Sequence, residues 1–212
     1  MATLARLDVY YPIGRRNRAA SQALRAGLTY SSVVILSAIW EGIMNITITP
    51  AKPEQFAALR AIELAAFDTL RLAGAVRGEA SAASLDELGA LREEGVLLTA
   101  LTPEAVPVGF AAGSVEENWL HIAEVDVHPA WQRQGVGTQL IRAILDTGRA
   151  RGLVGATLTT DRLAAFNARF YATLGFEIIE GSARPCHLAD RITDEINSGF
   201  DPARRVAMLM RF

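Results

Sequence analysis

The run Gln132-Arg133-Gln134-Gly135-Val136-Gly137-Thr138 could hold a ligand through its backbone alone. Glycines at 135 and 137 sit just ahead of an apolar helical stripe, where the first N–H groups of a helix have no partner. Together with the partial positive charge of a helix start, such groups form a seat for a phosphate or pyrophosphate. Upstream, Glu124 and Asp126 are spaced two apart on an apparent strand and so share a face. Carboxylates there can take a proton or form an acidic wall for a cation. Downstream, Asn167 and Tyr171 stand at i and i+4 on a helical segment. A phenol hydroxyl placed beside a leaving group can donate it a proton or a hydrogen bond.

The elements needed to position these groups are legible on either side. Trp119 to Val127 reads as a strand through Leu120, Ile122, Val125 and Val127, and Pro129 opens the turn that follows. Val136, Leu140, Ile141, Ile144 and Leu145 recur at helical spacing, predicting an amphipathic helix to about Arg151, with Gly152 as its stop. Before this unit lie a strand at Ile46–Thr49 and a helical stripe from Phe56 to Leu70. A breaker-rich loop from Gly74 to Ala83 and a short helix from Leu85 to Glu93 come next. Strands at Val96–Thr102 and Val106–Glu116 then form an antiparallel hairpin. After the unit come a strand at Val154–Thr160 and Asp161 as a helix cap. A helix from Leu163 to Leu174 ends at Gly175, and a strand runs from Phe176 to Glu180. A less regular stretch with a helix near Ile192–Asn197 leads to a closing strand at Arg205–Phe212. This order predicts an α+β fold with a mixed, mostly antiparallel central sheet and helices on both faces, its parallel pair flanking the central helix.

Three ligand loops compete for the glycine turn. A Walker loop needs Lys and then Ser or Thr after its second glycine, and Val136-Gly137-Thr138 has no Lys. A dinucleotide fingerprint needs a third glycine where Leu140 stands, and a first glycine directly off the strand. Here seven residues separate Val127 from Gly135, and Asp161 alone imitates that fold. The third pattern is Gln/Arg-x-x-Gly-x-Gly/Ala, in which main-chain amides alone hold a pyrophosphate.

That pattern, preceded by Val127-His128-Pro129, resembles the acyl-CoA signature of the GNAT N-acyltransferase superfamily. A second block, Asn167 followed by Phe170-Tyr171 and Leu174-Gly175-Phe176, resembles its penultimate helix and strand. The architecture is similar from Ile46 to Phe212, while recognisable motifs run from His121 to Phe176. The resemblance implies transfer of an acyl group, most simply acetyl from acetyl-CoA, to an amine, with no metal. It puts the pyrophosphate on the amides of Gln132, Arg133, Gln134, Gly135, Val136, Gly137 and Thr138. The pantetheine arm is expected beside the main chain of Val125 and Val127 and near Asn167. Glu124 is the expected base and Tyr171 the expected acid. Such an acid–base pair is needed because an amine of pKa near ~10.4 is protonated at neutral pH, and freeing its lone pair costs about 4–5 kcal/mol. Asp126 and Asp161 are candidate contacts for a cationic acceptor. The alternatives are a protein or peptide N-acetyltransferase, a CoA-sensing module without chemistry, and, more distantly, a nucleotide-dependent oxidoreductase.

Composition narrows the partners. The chain has 212 residues, half of them apolar and 21% charged, with net charge −2. This offers no electrostatic case for nucleic acid or an acidic membrane. One cysteine, Cys186, excludes an internal disulfide framework and fits a cytoplasmic setting. Beside His187 it is poorly placed as a nucleophile, since adjacent extended residues point oppositely. Three dispersed histidines lack metal-site spacing. Residues 1–43 are rich in arginine and read as an extension outside a domain at 44–212, with Met44 as an alternative start. Their apolar run from Ser31 to Trp40 is too short to span a bilayer. A small-molecule amine is the expected partner, and a homodimer is compatible with the composition.

Overall fold

The computed structural model describes residues 45–72, 79–164, 167–181, 184–197 and 200–212. The expected extension at 1–43, Phe166, and residues 74–78 of the expected loop lie outside the described residues. Ile46–Phe212 form one compact unit. Its strands are β1 (Thr47–Pro50), β2 (Val96–Leu101), β3 (Pro107–Glu116), β4 (Trp119–Val127), β5 (Gly155–Asp161), β6 (Glu177–Ile179) and β7 (Arg205–Arg211). Its helices are α1 (Phe56–Leu72), α2 (Leu85–Glu94), α3 (Val136–Ala150), α4 (Ala168–Ala172) and α5 (Cys186–Asn197). The strands form one sheet in the order β1-β2-β3-β4-β5-β7-β6. Among the described strands only β4 and β5 run parallel, and α3 is the crossover between them.

Alternation along the strands decides which helix covers which face. Leu98 and Ala100 of β2 pack with Leu120, Ile122, Leu140 and Ile144 under α3. Leu97, one residue away, points to the other face and joins Phe110, Ala112 and the α1 stripe Phe56, Leu59 and Ile62. In β7, Val206 and Met208 face α3 whereas Ala207 meets Leu188 and Ile192 of α5. Thus α1, α2 and α5 lie opposite α3, as an α+β fold with helices on both faces requires. No helix of the described residues is long and apolar enough to cross a membrane.

Local chemistry accounts for the boundaries that move. Ser84 Oγ accepts from the Glu87 amide, and Glu87 accepts in return from the Ser84 amide, so α2 starts on a capping box. The helix expected from Leu163 to Leu174 contracts to Ala168–Ala172. Asp161 binds the amides of Leu163 and Ala164 at 2.7 and 2.9 Å and turns the chain there instead of starting a helix. The helix expected near Ile192 begins earlier, at Cys186 after Pro185, because Leu188 and Ile192 already form its apolar stripe.

Candidate functional site

The parallel pair is barely a pair. β4 and β5 match at Leu120–Ala156 and His121–Thr157 only, so β4 from Ile122 to Val127 has no ladder partner on its β5 side. Against β3, Ala112 pairs Glu124 while Gly113 pairs Ile122, which makes Ala123 the extra residue of a bulge. The bulge shifts the strand phase: Leu120 and Ile122 face α3 before it, Val125 and Val127 after it. Glu124 and Asp126 therefore face the other side, opposite Ala112 and Phe110 in the α1 layer. The phase change from even to odd apolar positions is written in the sequence and is the signal for the bulge.

Two kinds of group thus meet at the open edge. The His128 amide donates to the Val108 carbonyl at 2.9 Å, next to the Gly109–Val127 pair. By antiparallel alternation the main-chain groups of Val127, and of Val125 two residues before, point away from β3 into the opening. Past the strand end, His128 Nδ1 accepts from the Ala130 amide at 3.3 Å and Gln134 Nε2 donates to the Ala130 carbonyl at 2.8 Å. Arg133 at φ 61° and Gly135 at φ 89° turn the chain through the left-handed region, and Gly135 caps α3. Among the described residues, no main-chain hydrogen bond of good length and angle is donated by the amides of Arg133, Gln134, Gly135, Val136, Gly137 or Thr138. The first bond of α3 is donated by Gln139 to Gly135.

Tyr171, in α4, packs against Phe170 and Phe176 with ring centroids 5.2 and 5.9 Å away. Burial raises its phenol well above the usual value, and the carboxylates of Glu124 and Asp126 raise it further. Its hydroxyl accordingly stays protonated at neutral pH and feels the charge of both acids. Asn167 precedes α4, gives its carbonyl to the Tyr171 amide at 3.1 Å and makes no side-chain cap.

On the carboxylate side, burial followed by Asp126 and Glu63 pushes Glu124 well above the carboxylate range. Glu124 is exposed to solvent, which weakens the part that burial plays. Asp126 is pushed up to about 7 by burial and then by Glu63. Glu63, on α1 next to the buried Ile62, is a member of this group that sequence reasoning missed. The signal available was its place at the edge of the α1 apolar stripe. Glu195 of α5 also reaches Glu124, but its oxygens hold Arg205, and Arg205 Nη2 donates to Thr159 Oγ1 at 2.9 Å.

Two other expectations are answered by placement. Asp161 is 3% exposed, binds the Leu163 and Ala164 amides, and accepts from Arg204 Nε at 2.7 Å. Its carboxylate holds the loop after β5 through these three bonds. Cys186 is exposed, while the His187 ring turns inward to Thr157 Oγ1 at 3.0 Å, so the two do not form a nucleophile–base pair. Thr157 continues to the buried His121 at 3.2 Å, and burial lowers that imidazole to about 3, so it is neutral and structural.

Comparison with known proteins closes the description. A family model described as the Acetyltransferase (GNAT) family matches residues 58–176. Among solved structures, the PaiA N-acetyltransferase of Thermoplasma acidophilum in complex with coenzyme A is similar at TM-score 0.61 and 12% identity, over 79% of this chain and 99% of that one. The ribosomal-protein-S18-alanine N-acetyltransferase of Escherichia coli is similar at 0.57 and 19% identity, over 78% and 93%. N-acetylglutamate synthase of Neisseria gonorrhoeae, complexed with coenzyme A and N-acetyl-glutamate, is similar at 0.59 and 18% identity, over 78% of this chain and 35% of that one.

Proposed function

The chain belongs to the GNAT acetyltransferase family, and we propose that it moves acetyl from acetyl-CoA directly to a primary amine of a small cationic molecule. The observation that carries this reading is the row of amides from Arg133 to Thr138 at the start of α3, next to the open main chain of Val125 and the outward amide of Val127. A pyrophosphate sits on the amides, and the turn side chains of Gln132 and Gln134 hold that loop in shape. The pantetheine arm extends along β4 like an added strand, passing Asn167. The Val127 amide then polarises the thioester carbonyl.

The acceptor approaches from the carboxylate side. Glu124 takes the proton of the ammonium, directly or through water. Its raised proton affinity suits it to that task better than an ordinary carboxylate would be. The freed lone pair forms the C–N bond, and the tetrahedral intermediate expels the CoA sulfur as the C–S bond breaks. Tyr171 donates its hydroxyl proton to that sulfur, and the second proton shed by the nitrogen as the carbonyl re-forms returns through water to the Tyr171 oxygen. Asp126 adds negative charge that draws in a cation.

The catalytic domain in this reading is 44–212, with 1–43 as an extension, which the compact unit from Ile46 supports. A cytoplasmic location and a small-molecule partner belong to the same proposal. A thiol-release screen of acetyl-CoA against amines, aminoglycosides, amino acids and peptides tests it. Release that depends on a cationic small amine is the expected result; release only with peptides, or none with any acceptor, overturns it.

A further inference from the structure

We infer that Thr157 is a positioning residue: its hydroxyl clasps β4 to β5 where they part and ties both strands to α5. The clasp holds the fork that sets Glu124 against Tyr171, and the inference rests on the roles given above to those two residues. The register places it. β4 and β5 pair at Leu120–Ala156 and His121–Thr157 and then separate, so the second pair is the vertex of the opening. Across that vertex Thr157 Oγ1 meets His121 Nδ1 at 3.2 Å. The same hydroxyl meets His187 Nε2, in the first turn of α5, at 3.0 Å. His187 Nδ1 in turn meets Glu117 Oε2 at 3.3 Å. His121 and Thr157 are 1% and 0% exposed, so water does not replace these partners.

Proton counting gives the line a direction. A hydroxyl has one proton and donates to only one of the two rings, so the other ring must donate to it. His187 gives its Nδ1 proton to the Glu117 carboxylate, which leaves Nε2 of the neutral ring as an acceptor. Thr157 therefore donates to His187 and accepts from His121 Nδ1–H. Burial keeps His121 neutral, so it anchors the line without exchanging protons. α5 is fastened along its length as well. Arg191 and Glu195 follow His187 at i+4 and i+8 and hold Glu116 and Arg205 respectively. Thr159, on the same face of β5 as Thr157, donates to Glu195 Oε1 at 2.6 Å. Past the vertex β4 carries Glu124, while β5 runs on to the loop that leads to Tyr171. A ladder of only these two pairs holds the angle between the strands weakly, and the side-chain clasp supplies the rest.

The test measures kcat, the KM for acetyl-CoA and the melting midpoint for the full chain, Thr157→Val and Thr157→Ser, with the best amine of the thiol-release screen. Valine keeps the shape and loses the hydroxyl; serine keeps the hydroxyl. Thr157→Val should lower kcat by roughly tenfold or more, the scale of a small misplacement of reacting groups. The KM for acetyl-CoA should stay unchanged, because the amides of Arg133 to Thr138 lie on another segment. Thr157→Ser should recover most of the rate. A hydroxyl that serves folding alone would lower the melting midpoint of Thr157→Val and leave kcat at the wild-type value, which overturns the inference. Should Thr157→Val not fold, His187→Leu removes the bond to α5 and should also lower kcat. His187→Gln, whose amide reaches the place of Nε2, should recover it, and wild-type kcat in both overturns the inference. Nitrogen NMR of the wild-type protein at alkaline pH should find His121 as its Nδ1–H tautomer; the Nε2–H form breaks the line to α5 and overturns it too. In each of these cases thiol release by the wild-type protein leaves the acceptor reading standing. Absence of release with every amine sinks that reading and this inference together.

Discussion

Gln132 Nε2 donates to the Val127 carbonyl at 3.0 Å, which ties the first residue of the glycine turn to the last residue of β4. The bond couples the anion seat to the open strand edge. Gln132→Leu keeps the bulk and removes the bond, at a cost of about 1 kcal/mol. The KM for acetyl-CoA should rise roughly fivefold, while the KM for the acceptor stays put. Steady-state kinetics with each substrate varied in turn checks this, and equal effects on both would count against a local role.

Gly137 is not demanded by the packing of the protein itself. A Cβ there would meet only Val127 Cγ2 at 3.8 Å and Phe170 Cζ at 3.9 Å, ordinary contact distances. The restriction comes from whatever sits on the turn. Gly137→Ala should therefore fold and bind acetyl-CoA, whereas Gly137→Val should fold and lose binding in calorimetry. Gly135 differs, since its φ of 89° strains any side chain even though a Cβ has open space. Gly135→Ala should lower stability by about 1–2 kcal/mol, read as a fall in the chemical denaturation midpoint.

Much of this site was readable before any coordinates. The turn, α3, and the pairing of Glu124 with Asp126 on one face follow from residue spacing, because glycine placement and apolar periodicity are local signals. Glu63 was not readable: α1 and β4 are far apart in sequence, and only the seating of Leu59 and Ile62 on β3 brings the carboxylates together. The short α4 was misread for a related reason. Asp161 had two ways to use its carboxylate, as a helix cap or as a turn, and Arg204, distant in sequence and just before β7, fixes it in the turn. The order of the last strands, with β7 between β5 and β6, is likewise a long-range result that no local pattern encodes.

Tyr171 should act late in the reaction. Its phenol is held well above the usual value, first by burial and then by Glu124 and Asp126, so it is a full proton donor at neutral pH. Tyr171→Phe removes the hydroxyl and leaves the ring that packs on Phe170 and Phe176. The value of kcat should fall by roughly 10²-fold, within the range for a general acid, with little change in the affinity for acetyl-CoA. A thioester analogue with a better leaving thiol should recover part of the rate. Unchanged turnover would remove the acid role.

Asp126 contributes a pH dependence to stability. Its carboxyl is raised to about 7 in the folded chain by burial and by Glu63, against an unfolded value near ~3.9. The folded state therefore holds a proton that the unfolded state releases as pH climbs from about 4 to about 7. The favourable contribution is complete below that window, is lost as pH rises through it, and stays lost above. Asp126→Asn removes the group that must ionise among like charges. At pH values above the window the variant should be more stable than the parent by about 1–2 kcal/mol, after allowing for solvent in the cleft. Below the window the two should melt together. Denaturant titrations on both sides of the window decide the matter, and a gap that does not depend on pH would mean that packing, not charge, sets the role of Asp126.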